Sequence, residues 1–141
     1  MRPLTPTEVS VVRWFADRVD PTLKQSLLDD LDRASAEEIR DEQLMIRFEI
    51  EGYTRPTSPV SVPVDATMLD ADGAELAVVL SADADGRLYT LEVLRFETGP
   101  VIAPNWASLR RRFAGEVLRL NEPDEPVIIE PKRWLRKLLR K

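Results

Sequence analysis

The tetrapeptide Asp-Ala-Asp-Gly occurs twice, at residues 70–73 and 83–86, and each copy joins two stretches of alternating apolar residues. Asp-Gly in that setting is a hairpin signal, because glycine accepts the positive backbone torsions of a tight turn and the aspartate bonds the turn's amides. The flanking stretches read as strands. Val60, Val62, Val64, Ala66 and Met68 alternate before the first copy, residues 75–80 lie between the two, and residues 88–97 follow the second. Further upstream, Leu44, Ile46, Phe48 and Ile50 alternate with Met45, Arg47, Glu49 and Glu51, the pattern of a half-buried strand with one charged face. The expectation is a four-stranded, mainly antiparallel meander whose two later links are the repeated turns.

Helical signals flank that meander. Thr5, Pro6 and Glu8 form a helix start: an N-cap, a proline at the first helical position and a glutamate three residues after the cap. A helix is predicted over residues 6–19, with Val9, Val12, Ala16 and Val19 on one face. Asp20 and Pro21 repeat the device, and Leu23, Leu27, Leu28 and Leu31 predict a second helix ending near Ala34. Asn105 can cap a third, in which Trp106, Leu109, Phe113, Val117 and Leu120 share a face. The predicted fold class is therefore α+β, the meander packed against N-terminal and C-terminal helices. One domain is expected over residues 1–120, then an acidic, proline-containing linker over 121–130 and a basic amphipathic helix over 131–141.

The chain has no cysteine and no histidine. Thiol nucleophiles, disulfides, Cys or His zinc sites and Ser-His pairs are thereby excluded. None of the four lysines, Lys24, Lys132, Lys137 and Lys141, follows a glycine-rich loop, which excludes a phosphate-binding P-loop. Residues 81–92 resemble a calcium loop in spacing, with Ser81, Asp83, Asp85, Gly86, Leu88 and Glu92 in the required positions. Strand-like flanks argue against it, and the upstream copy places Met68 and Val79 where calcium ligands belong. Turn chemistry explains both copies, so no metal, no cofactor and no small-molecule substrate is predicted. The acidic pairs Glu37 with Glu38 and Glu49 with Glu51 have no accompanying base or ligand spacing, so no catalytic residues and no enzyme are expected. No apolar run approaches the roughly 18–20 residues of a membrane span, and the N-terminal stretch lacks a signal peptide's apolar segment, which predicts a soluble cytoplasmic protein.

The segments RPLTPTE, QSLLDDLDRA, PVDATMLDADGAELAVVL and GRLYTLEVLRFETGPVIAP, in this order, resemble a family of small uncharacterised bacterial proteins. That family shares an Arg-Pro-Leu-Thr start, an Asp-x-Asp-Gly turn and a Leu-x-x-Leu-Glu-Val strand. The resemblance covers residues 2–104. It implies no activity, and no catalytic residue is carried over from it.

Charge divides along the chain: residues 1–104 hold 10 basic and 20 acidic side chains, residues 105–141 hold 10 basic and 5 acidic. The acidic body suits a basic partner, as in a bacterial immunity-type protein that covers a toxin. A protein partner or self-association is the expectation, with Arg133, Trp134, Arg136, Lys137, Leu138 and Arg140 as partner-binding residues of the terminal segment. The alternative is that the basic helix binds a membrane surface or nucleic acid. Docking of that helix on its own domain is a further reading, and Arg110, Arg111 and Arg112 read as a solvated helix flank.

Overall fold

The computed structural model of the chain describes residues 1–55 and 59–112. In chain order its elements are β1 (Arg2–Pro3), α1 (Pro6–Ala16), α2 (Pro21–Leu31), β2 (Ala34–Arg40), β3 (Leu44–Ile50), β4 (Val60–Ser61), β5 (Ala66–Leu69), β6 (Glu75–Ala82), β7 (Leu88–Arg95) and β8 (Asn105–Arg111). The strands form one eight-stranded antiparallel sheet in the order β1-β2-β3-β7-β6-β5-β8, with β4 pairing on β6 beside β5. None of the described helices is long and apolar enough to cross a membrane.

Both N-terminal helices begin where the sequence signals them. The Thr5 hydroxyl accepts from the Glu8 amide while the Glu8 carboxylate accepts from the Thr5 amide, and Asp20 caps α2 through the Leu23 amide. Glu8 also holds Arg2 through two bonds of 2.9 and 2.7 Å, tying β1 to the first turn of α1. Val11, Val12, Phe15 and Ala16 of α1 and Leu27 of α2 are buried against the sheet.

Cross-strand neighbours share a face in an antiparallel sheet. Ile46, Leu91 and Leu80 form one row of the inner face, with Leu44, Val93 and Val78 beside them. The outer face carries the intervening rows, Arg47, Thr90 and Ser81, then Met45, Glu92 and Val79. The two repeated turns connect β5 to β6 and β6 to β7, so the hairpins are as expected.

The four-stranded meander is not what forms, and residues 105–111, expected to open a C-terminal helix, form a strand. Strand β3 lies beside β7 rather than β5, because β7 offers Leu91 and Val93 opposite Ile46 and Leu44, whereas β5 pairs with β8 on its outer edge. The single strand expected over residues 60–68 is split in two around Pro63. That proline has no amide to give a ladder, and a tight turn closes beside it through the Val64 amide and the Val62 carbonyl at 2.7 Å. Strand β2 replaces the expected end of the second helix and the loop beyond it. Residues 105–111 extend as a strand, and the rest of the helix expected there lies outside the described residues. Thr67 pairs with Arg110 and Leu69 with Asn105, so two steps along β5 face five along β8. That irregularity lets Trp106 and Leu109, three apart on the chain, both pack toward the core without a helix.

Candidate interaction surfaces and the two aspartate turns

Two polar clusters of the described residues are built on the two turns. In the second, the Asp83 amide bonds the Arg87 carbonyl and the Gly86 amide bonds the Asp83 carbonyl, with Gly86 at φ +78°. Asp83 is buried at the turn's start, where one carboxylate oxygen accepts the Asp85 and Arg87 amides at 2.9 and 3.1 Å. The other oxygen accepts the Tyr53 hydroxyl at 2.6 Å and the Arg55 guanidinium at 3.1 Å. Burial pushes the Asp83 carboxyl upward, but the Tyr53 hydroxyl, the two amides and Arg55 outweigh it and hold the group below the usual carboxylate range. Tyr53 moves the opposite way: desolvation and its bond to the Asp83 anion push it up to about 12.

Arg87 leaves the same turn and bonds Asp30 of α2 through Nε and Nη2, while the Leu88 amide takes the second Asp30 oxygen at 3.0 Å. Its guanidinium lies 4.1 Å from the Tyr53 ring centroid, and that of Arg55 lies 3.9 Å from the Tyr89 ring centroid. The planar cations thus sit against aromatic faces while their N–H groups hold carboxylates. The Ser26 hydroxyl donates to the Gly86 carbonyl at 2.8 Å, adding a second tie between α2 and the turn.

The first turn repeats the plan with different partners. Asp70 is buried and accepts four bonds, from the amides of Ala71, Ile102 and Ala103 and from Arg95, all at 2.7–2.8 Å. Arg95 reaches on to Asp72 at 2.6 Å, and that bond, with the Ala74 amide, lowers Asp72 to about 2. Asp70 thereby fastens the segment that follows β7 onto the β5–β6 hairpin.

The Asp70 and Asp83 carboxylates point into their own fold. Glu92, the twelfth position of the calcium spacing, lies on the outer face of β7 between Met45 and Val79, in mid-strand and away from the turn. Among the described residues no three Asp or Glu side chains gather in a metal-binding arrangement. Sequence reasoning identified the turns but missed that their first aspartates are the anchors, since Arg55, Arg87 and Arg95 carry no local signal of their inward direction.

Grooves lined by described residues open elsewhere. One, of about 460 Å³, runs between α1 and β8, lined by Pro6, Ser10, Val11, Trp14, Trp106 and Leu109. Another, of about 400 Å³, lies on the outer sheet face, with Thr67, Ala77 and Val79 as floor and Phe96 and Arg112 among its walls. The β2 edge beyond its two β1 partners presents exposed Glu37 and Glu38, followed by Asp41 and Glu42. The solvated arginine flank is corrected as well. Arg110 and Arg111 end strand β8 and Arg112 follows it, with Arg110 buried at 4% exposure opposite Thr67, Arg111 half-buried and Arg112 exposed. Arg133, Trp134, Arg136, Lys137, Leu138 and Arg140 lie outside the described residues, as do the predicted linker and terminal helix.

Residues 1–104 match the model of a family described as a domain of unknown function, DUF6984, and the chain belongs to that family. The match ends one residue before β8. No curated protein and no solved structure matches the chain.

Proposed function

We propose that this member of the DUF6984 family is a non-catalytic protein-interaction module whose acidic body covers a basic partner, in the manner of a bacterial immunity protein on its toxin. The observation carrying this reading is where the charge sits. Residues 1–112 hold 13 basic and 20 acidic side chains, a net of −7. Four of the arginines are spent on buried carboxylates, Arg2 on Glu8, Arg55 on Asp83, Arg87 on Asp30 and Arg95 on Asp70. Those pairs cancel and take up the four buried acids, so the remaining acidic side chains of these residues are half-buried or exposed. Asp32, Glu42, Glu51, Glu75 and Glu92 make no ion pair with a described residue, and Glu37, Glu38 and Glu49 are 45–60% exposed in side chain. Such a surface accelerates encounter with a cationic protein and rejects anionic ones.

A panel of small basic nucleases and other cationic toxins, titrated by calorimetry, tests the proposal. One of them is expected to bind, with affinity falling at least tenfold between 50 and 300 mM salt. The paired reversal Glu37→Lys and Glu42→Lys is expected to weaken it by a further order of magnitude. Unchanged binding by the reversed protein would refute the acidic-surface reading. Salt-sensitive binding of a 131–141 peptide to anionic vesicles or duplex DNA, with no protein partner, would favour the basic segment as the contact instead.

A further inference from the structure

We propose that the groove between α1 and β8 is the seat of the chain's own C-terminal segment, residues 131–141, held in cis. This goes beyond the partner reading above, because it concerns a face that the acidic surface does not use.

The groove is apolar where it is deepest. Val11 and Leu109 are buried in its floor, and Trp14 and Trp106, both half-buried, form its walls. Its exposed rim is made of small or short side chains, Pro6, Thr7, Ser10 and Ala107, which leave room for an approaching backbone. The geometry is that of a helix-accepting groove: one wall is a helix of 11 residues, about 16 Å at 1.5 Å per residue, and the other is a strand.

Residues 131–141 have the complementary composition. Trp134, Leu135, Leu138 and Leu139 recur at the spacing of one helical face, with six basic side chains around them, and eleven residues of helix also span about 16 Å. The tail carries +6 and no acid, against the −7 of residues 1–112, so long-range attraction favours the body over solvent.

Connectivity supplies the rest of the argument. The described chain ends at Arg112, three residues past Leu109 of the groove floor, and residues 113–130 then separate it from the tail. Eighteen residues reach up to about 60 Å when extended and span about 23 Å as a flexible coil, more than the length of α1. A tethered segment at that distance sits at an effective concentration on the order of 1 mM, about a thousandfold above a micromolar competitor. A second copy or a free peptide therefore starts at a disadvantage that only a much tighter contact would overcome.

The absence of native cysteine makes the test direct. Ser10, exposed on the groove rim, and Leu138, in the tail, are replaced together as Ser10→Cys and Leu138→Cys in the full chain. The protein is oxidised at 1 μM and run on non-reducing electrophoresis. The expected product is an intramolecular disulfide, a monomer of altered mobility exceeding cross-linked dimer at least tenfold. A second pair, Glu75→Cys with Leu138→Cys, places the first thiol at the start of β6 and is expected to yield no such monomer. Predominant dimer would assign the groove to a second copy and overturn the proposal. Equal trapping at positions 10 and 75, or trapping at neither, would overturn it too, by showing that the tail does not select the groove. None of these outcomes depends on a basic partner, so the inference fails independently of the proposed function.

Discussion

Asp83 and Asp70 are each buried, each ionised and each surrounded by donors from elements distant in sequence. Removing a carboxylate from such a site strands a guanidinium that has lost its counter-charge and leaves amides without an acceptor. Asp83→Ala is therefore expected to destabilise the protein by about 3 kcal/mol or more, read from the urea midpoint at unchanged slope. Asp85→Ala, two residues on and exposed, is expected to stay within about 0.5 kcal/mol. Equal effects at the two positions would mean that the buried bonds do not set the stability. The difference was legible only in part: a tetrapeptide shows that a turn forms, but not which of its two aspartates faces inward. Register decides that, since Asp83 directly follows the last residue of β6 and is carried in with it, while Asp85 is carried out.

At the scale of elements, signals that are local were read correctly and signals that depend on a neighbour were not. α1 and α2 begin at their caps, and β3, β6 and β7 fall where apolar residues alternate. β2 has the sequence ASAEEIR, in which only Ala36 is fully buried, so its strand conformation comes from pairing with β3 along its whole length rather than from its own pattern. β8 was hidden by its irregular pairing with β5, which replaces alternation with a three-residue interval that mimics a helix. The turns lie at opposite ends of β6 and are good sites for an independent check. Gly73 has φ +87° with no heavy atom near an added methyl, and Gly86 has φ +78° with Leu23 at an ordinary 3.6 Å. Both changes to alanine meet the torsional penalty and no clash, so each is expected to cost about 1 kcal/mol, and the double variant the sum of the two. A double variant costing well beyond that sum would show that the turns are coupled through β6.

Pairing of β3 with β7 joins residues more than forty positions apart, and neither strand announces the other, which is why the whole sheet was less legible than its hairpins. The molecule's charge, by contrast, was legible in full, and it sets a pH response that the fold then sharpens. With no histidine and no cysteine, no side chain changes charge across the neutral range, so stability is expected to be flat from about pH 5.5 to 9. Below that plateau the sign follows from the lowered carboxyls. Asp70, Asp83 and Glu8 hold their protons less tightly in the native fold than in the unfolded chain, and Asp72 titrates at about 2. From about pH 4, where unfolded carboxylates titrate, downward to those native values, the unfolded chain binds more protons, and stability falls as pH falls. Above the plateau Tyr53 acts in the opposite sense. Its native value of about 12 against an unfolded value of about 10 means that its contribution is complete below pH 10 and is lost as pH rises to 12. Thermal melts across pH 2–12 are expected to show that plateau with a shoulder falling on each side. Because the Asp83 anion and the Tyr53 hydroxyl shift one another, Asp83→Asn should make the acidic shoulder shallower and weaken the alkaline one, while Tyr53→Phe should remove the alkaline shoulder and weaken the acidic one. A slope between pH 6 and 8 would contradict the account, because no side chain in this sequence titrates there.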